Sequence, residues 1–363
     1  MKIIHHTAFF GTNSIGRWFQ PFKQHTMTDA PNTLSRWQLS AYGRQHLSHV
    51  EAPMPTPGPG QVLVQVAAAS LNYRDLLMIH NGMGMPFTAP WTPGSDMAGR
   101  VLAVGDGVRR WQAGDAVISS FYAGWIDGKP SPEVFPLGGP GPGMLATHVL
   151  LDAQWVAAAP TTLSPAQAST LPCAALTAWF ALVEQGGLRA GQTVLIHGTG
   201  GVALFGLQLA RLHGARTVVV SGDASKREQV LAMGATHALA RDGDWVAELH
   251  QLTQGHGADH VLELVGGANV ERSVQALAAG GRLSVIGVLD GDRIGTSAYP
   301  LIRHRTVLQG INVGHRRALE DLVRAIDVNG LTPTVAATYK ASELTAALDH
   351  LARGAFGKIV VTF

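Results

Sequence analysis

"VLIHGTGGVALFGLQLAR", residues 194–211, decides the fold. It begins as an apolar strand, turns at GTGG, and continues as a helix whose apolar face carries Val202, Phe205 and Leu209. Gly198 permits the tight turn, Gly200 lets backbone approach a pyrophosphate, and Gly201 opens a helix whose N–H groups and dipole receive negative charge. Gly198, Thr199, Gly200, Gly201 and Val202 therefore form the candidate cradle for a dinucleotide, with Ala203 at the third glycine place of the motif. The alternative is a glycine turn made for local reasons, with no ligand.

The next strand, RTVVVSG, ends on Ser221, where a carboxylate would hold the ribose hydroxyls of NAD. Ser221, Gly222 and nearby Lys226 offer donors and positive charge instead, which favours the 2′-phosphate of NADP. Asp223 is the ribose acid, and NAD the cofactor, if the strand runs two residues further. Lys226 equally fits a solvated position in the first turn of a helix.

Outward from this stretch, apolar strands alternate with helical windows from about residue 171 to the closing KIVVTF, the pattern of a parallel sheet with helical crossovers. The windows reach Gly214, Gly234 and Gly280, each read as a helix end. On the other side, Ser35 to Val156 is built of short alternating segments divided by Pro-Gly turns, which predicts an antiparallel β domain, a small barrel. FPLGGPGPGMLATH (135–148) reads as loop, and residues 1–26 as a loosely ordered extension, with Met27 an alternative start.

The 363 residues are 46% hydrophobic and 14% charged with a net charge of +2, which suits a two-domain globular enzyme and recommends neither disorder nor nucleic acid as a partner. Cys173 is the single cysteine, so no internal disulfide forms and the cytoplasm is the expected compartment. No run of about 18 apolar residues is visible, and no membrane span is expected.

Several motifs in order, LNYRD (71–75), PGSDMAG (93–99), GDGV (105–108), GDAV (114–117), GTGGV (198–202) and GKIVV (357–361), give the chain a resemblance to the medium-chain dehydrogenase/reductase superfamily, most of all its zinc-free, quinone-oxidoreductase-like branch. The resemblance implies an α/β protein: a GroES-like antiparallel β-barrel catalytic domain (27–174, completed by 313–363) and a Rossmann doubly wound parallel sheet (175–312). It implies Thr177, Ile286, Gly287 and Val313 beside the nicotinamide and its ribose, and Lys358 near the cofactor phosphates. It also implies a homodimer paired through an edge of the nucleotide-binding sheet.

Laid on the zinc-dependent pattern, the catalytic ligand places hold Asn72, Ser95 and Cys173, and 121–143 has no cysteine for a structural zinc. Amide and hydroxyl are poor zinc ligands, so no metal is expected. Without a Lewis acid, an unactivated alcohol is hard to oxidise. A quinone or an alkene conjugated to a carbonyl takes a hydride into its own π system, and needs mainly positioning and a hydrogen bond where the oxyanion develops. Asn72 and Tyr73 are the candidate catalytic residues. Asn72 would hold a carboxamide or substrate oxygen; Tyr73 would donate to an enolate, or else pack in the barrel. Asp75 is read as orienting Arg74, His80 as structural, and Phe121, Tyr122 and Trp125 as an apolar wall or core. The expected activity is NADPH-dependent reduction of such a small molecule. The alternatives are an alcohol dehydrogenase using Cys173 with His80, and a non-catalytic NADPH-binding protein.

Overall fold

The computed structural model describes residues 32–85 and 88–363. The readings of residues 1–26 and of a start at Met27 fall outside the described residues.

The strands in chain order are β1 (Thr33–Leu39), β2 (Leu47–Pro53), β3 (Gln61–Leu71), β4 (Asp96–Val104), β5 (Ala116–Ser119), β6 (Tyr122–Ala123), β7 (Phe135–Pro136), β8 (His148–Asp152) and β9 (Val156–Ala158), followed by β10 (Thr193–His197), β11 (Arg216–Ser221), β12 (His237–Ala240), β13 (Ala258–Glu263), β14 (Leu277–Val285), β15 (Val307–Gly310), β16 (Val335–Lys340) and β17 (Lys358–Thr362). The helices used below are α1 (Tyr73–Asn81), α2 (Pro165–Glu184), α3 (Gly201–Leu212), α4 (Ala224–Ala232), α5 (Ala298–His304) and α6 (Arg316–Asn329).

Seven strands form the first large sheet, in the order β16-β17-β3-β4-β5-β9 with β8 also on β3. β3 is rich in Val and Ala, with Val62, Val64 and Val66 buried, and it organises the sheet. One edge pairs with β4; the other is shared, Gln61–Gln65 with β8 and Ala68–Leu71 with β17. The pairs are antiparallel as expected, except that β16 and β17 run parallel. β17 thus brings a late segment of the chain into the early domain.

The second sheet is wholly parallel, β12-β11-β10-β13-β14-β15. Strand order reverses between β10 and β13, which opens a crevice at their carboxyl ends. Val194–Ile196 are fully buried, as parallel strands covered on both faces require. Gly206 in α3 is the point of close helix-to-sheet approach, because a Cβ there would lie 2.4 Å from Leu262 Cδ1.

α2 joins the two halves. Its Leu171, Ala174, Ala175, Ala178 and Ala181 lie in one apolar cluster with Ile118 from the first sheet, Phe121 just beyond β5, Leu204 and Phe205 from α3, and Leu319, Leu322 and Ile326 from α6. This corrects the expectation that no apolar run is long enough for a bilayer: α2 meets that length and composition, and 78% of its apolar window is buried inside the fold. Gly280 is a second correction. The helix before it stops at Gln275, and Gly280, with φ of 76°, lies within β14 where the register against β13 shifts. Gly214 and Gly234 do follow helix ends with positive φ.

Candidate active site

The glycine loop lies at the crevice. Gly198 has φ of 82°, the conformation the turn demands, and no atom stands within 4 Å of where a Cβ on Gly198 or Gly200 would lie. Thr199 and Gly200 are tied to the first sheet's last strand: Gly357 N donates to Thr199 O (3.1 Å), and Gly200 bridges Gly357. Val202 is half-buried, while Phe205 and Leu209 are fully inside.

At the end of β11, Asp223 caps α4 by accepting from Lys226 N (3.1 Å), and Ser221 Oγ accepts from Asp223 N (3.3 Å). Lys226 Nζ donates to Gly354 O (2.9 Å), and Arg227 donates to Ser221 O (2.8 Å). The sequence reading missed Arg241. It leaves the end of neighbouring β12 so that a Cβ on Gly222 would lie 3.0 Å from its Cζ. Two guanidinium side chains, Arg227 and Arg241, therefore lie against the Ser221–Gly222 turn, while the Lys226 ammonium ends on Gly354 O.

At the end of β13, the buried Glu263 fixes the loops that follow β13 and β14. Its Oε1 accepts from Val265 N (2.9 Å) and Gly266 N (3.1 Å), its Oε2 from Asn269 Nδ2 (2.8 Å) and Ser273 Oγ, and its carbonyl from Ile286 N (2.9 Å) and Gly287 N (3.0 Å). Sequence offered no signal for this anchor. A Cβ on Gly287 would press to 1.9 Å from Leu264 O. Val313 holds φ of 59°, a costly conformation for a β-branched residue, kept by packing at a place expected to face the nicotinamide. Thr177 is buried with its hydroxyl on Cys173 O (2.7 Å), in a helix that widens locally to i→i+5 bonding, as Gln185 N to Phe180 O (2.9 Å) shows.

The chemistry-bearing side chains meet where α1 begins. Asn72 N donates to Asp75 Oδ2 (2.8 Å), which closes the helix start. The Asn72 amide points elsewhere: its Oδ1 accepts from Lys358 Nζ, and its Nδ2 donates to Ser95 Oγ (3.2 Å). Ser95 Oγ donates to Asp96 Oδ1 (2.7 Å), and Asp96 Oδ2 accepts from Cys173 N (3.1 Å). Lys358 Nζ also donates to Leu71 O (2.6 Å). Its stem lies against the glycine loop, where a Cβ on Gly201 would come within 2.5 Å of Lys358 Cδ. Lys358 therefore runs past the glycine loop to Asn72; its ammonium ends on Asn72 and the Leu71 carbonyl rather than on the loop.

Asn72, Asp75, Ser95, Asp96 and Lys358 are all buried. Burial pushes Asp75 up to about 6 against the pull of Arg74, and raises Asp96 against the pull of Lys358. Burial, aided by nearby Asp96, also raises the Cys173 thiol. Tyr73, the first residue of α1, is 47% exposed. Arg74 donates to Leu137 O (3.1 Å) and Gly139 O (3.2 Å) and lies 5.1 Å from the Phe121 ring centroid. Phe121 is buried core. Tyr122 and Trp125 are half-buried, edge-to-face at 5.6 Å, and burial pushes Tyr122 up to about 12.

Two family models match the chain, the alcohol dehydrogenase GroES-like domain over residues 58–161 and the zinc-binding dehydrogenase over residues 201–328. A zinc-type alcohol dehydrogenase-like protein of Schizosaccharomyces pombe is 33% identical over 335 residues, 89% of this chain and 96% of its own. The chain belongs to the medium-chain dehydrogenase/reductase superfamily. Among solved structures of that superfamily, a candidate alcohol dehydrogenase from Sinorhizobium meliloti 1021 superimposes with a TM-score of 0.89 at 48% identity, covering 92% of this chain and all of the other. An NAD-dependent alcohol dehydrogenase superimposes with a TM-score of 0.84 at 29% identity, covering 91% and 99%. The GroES-like and Rossmann architecture implied by the motifs is thereby met, and the protein is an oxidoreductase of this superfamily.

The catalytic zinc of zinc-dependent members does not fit the residues present. Asn72 Oδ1 is occupied by an ammonium and Ser95 Oγ is committed to Asp96, which leaves the Cys173 thiol as the one soft ligand at the three places. Among the described residues, no three His, Cys, Asp or Glu side chains group as a metal site. A nicotinamide dinucleotide does fit, through the positive φ of Gly198 and the open space over Gly198 and Gly200.

Proposed function

We propose that this protein is an NADPH-dependent reductase of quinones or carbonyl-conjugated alkenes that works without catalytic zinc. The observation that carries the reading is the commitment of the Asn72 and Ser95 side chains, at two of the three ligand places, to a buried hydrogen-bond chain in place of a metal. NADPH, when bound, supplies the hydride. The protein supplies the rest: Gly198–Val202 receive the pyrophosphate at the start of α3, Ser221, Gly222, Lys226 and Arg241 surround the 2′-phosphate, and Thr177, Ile286, Gly287 and Val313 bound the nicotinamide. Asn72 Nδ2 offers a hydrogen bond to the substrate oxygen as negative charge develops there, and the exposed Tyr73 hydroxyl donates to the enolate or passes it a proton in exchange with solvent.

The working form is a homodimer joined at the β15 edge of the nucleotide-binding sheet. Val307 on that strand, and Leu289, Tyr299 and Ile302 in the segment leading from β14 into it, are exposed between 40% and 74%, apolar side chains of the kind copies of one chain bury.

The names of the relatives favour a second reading, an alcohol dehydrogenase. One assay separates the two: oxidation of NADPH and NADH with a quinone, an enone and an aldehyde, with and without a chelator. The reading expects turnover of the quinone or enone, preference for NADPH, and indifference to the chelator. Turnover confined to the aldehyde and lost on chelation overturns it.

A further inference from the structure

We propose that Lys358 is a positioning residue that stands in for the catalytic cation: through Asn72 it fixes which face of the amide meets the substrate oxygen. The inference rests on the reductase reading for its chemistry, and on geometry alone for the orientation of Asn72.

Lys358 is all donor, and its Nζ bonds Leu71 O and Asn72 Oδ1. Asp96, at the other end of the chain, acts as acceptor toward both Ser95 Oγ (2.7 Å) and Cys173 N (3.1 Å). Between these ends, Asn72 and Ser95 each accept on one side and donate on the other, so with Asp96 ionised the direction of every hydrogen bond is settled. A flipped Asn72 amide would set Nδ2 against the ammonium, and Oδ1 against a Ser95 oxygen whose proton is already given to Asp96. Both bonds would be lost in a buried setting, where unpaired polar groups are expensive. One Nδ2 proton goes to Ser95, with the Asp96 carboxyl also within reach of the amide, and the second is the donor assigned to the substrate oxygen. The ammonium also polarises the amide, drawing density to Oδ1 and strengthening Nδ2 as a donor.

Two features place the arrangement in the site rather than in the core. The Lys358 stem passes within contact of Gly201 in the glycine loop, so cation, amide and cofactor cradle are contiguous. The three places the zinc-dependent pattern would use for ligands are held in this one chain, two by side chains and the third by the Cys173 backbone N–H.

The test compares Lys358→Met, Asn72→Asp, Asn72→Ala, and Lys358→Met combined with Asn72→Ala. Lys358→Met keeps the stem and removes the charge; kcat is expected to fall about 100-fold, the scale of one lost oxyanion donor, while the NADPH dissociation constant from fluorescence changes less than about twofold, since a group that binds no phosphate removes no cofactor affinity. Asn72→Asp still accepts from Lys358 but has no N–H to offer, and is expected to lose kcat to the same degree in a folded protein. The double variant is expected to fall no further than Asn72→Ala alone. A Lys358→Met enzyme with kcat intact and NADPH affinity down about tenfold or more makes Lys358 a phosphate ligand and overturns the inference, as do multiplying effects in the double variant. A readout free of turnover separates this from failure of the reductase reading: the Asn72 side-chain amide proton pair, assigned by its loss in Asn72→Asp, must move in the NMR spectrum of Lys358→Met without cofactor. An unmoved pair refutes the inference whatever the enzyme reduces.

Discussion

Replacing Asp75 by Asn changes how stability responds to pH, and the structure sets the size of the change. Asp75 is fully buried at the start of α1, its Oδ2 accepts from Asn72 N, and its Oδ1 lacks a hydrogen-bond partner. Its carboxyl is pushed from the ordinary 3.8 to about 6 by burial, with Arg74 and Lys358 opposing and Asp96 adding to the rise. A folded state that holds a proton more tightly than the unfolded chain is favoured by acid. The stabilisation is full below pH 3.8 and is lost as pH rises to about 6. At about 1.36 kcal/mol per pH unit, the loss between pH 4 and 7.5 is roughly 2.5 kcal/mol. Asn cannot titrate, so the stability of Asp75→Asn minus that of wild type is expected to rise by that amount over the same interval, whatever its value at pH 4. Urea unfolding followed by circular dichroism at pH 4, 5, 6 and 7.5 measures the difference, with carboxylates common to both proteins largely cancelling. Two stability curves parallel to within about 0.5 kcal/mol would refute the reasoning, because they would mean that Asp75 is solvated or paired well enough to ionise freely.

Three further outcomes follow from named contacts. Gly200→Val meets no atom within 4 Å and has an ordinary backbone conformation, so thermal stability should hold while NADPH affinity falls about tenfold or more, read by fluorescence titration. Arg241→Ala should weaken NADPH about tenfold and leave NADH unchanged, since the guanidinium by Gly222 has work only when a 2′-phosphate is present; equal loss for both cofactors would remove it from the site. Gly206→Ala should cost about 1–3 kcal/mol in urea unfolding, because its Cβ would come within 2.4 Å of the buried Leu262 side chain.

What the sequence made legible was local. GTGG between an apolar strand and an amphipathic window specifies its own turn, and alternation against 3.6-residue spacing separates the two sheets. What it concealed depends on residues far apart. Lys358 and Asn72 are 286 positions apart, and their bond exists only because β17 pairs with β3. Arg241 follows the next strand, β12, so inspecting the end of β11 alone cannot find it. Glu263 appears as an ordinary strand residue until the loops after β13 fold back onto its carboxylate. Gly280 misled because the stretch after Gln275, rich in alanine, suits a helix, whereas pairing with β13 claims it as strand. α2 escaped notice as a possible span because Pro165, Gln167 and Ser169 interrupt its apolar character without adding charge.

The pairing of β3 with β17 also constrains how the molecule is made. Leu71 and Lys358 are 287 residues apart, which at roughly 5–20 residues per second is about 15–60 s of ribosomal synthesis. Throughout that interval, the Ala68–Leu71 edge of β3 is without its partner and open to pairing with other chains. A nascent polypeptide of this kind completes its oldest sheet last, so slowing translation lengthens its exposure to aggregation, and a chaperone that shields strand edges finds its client in the segment made earliest.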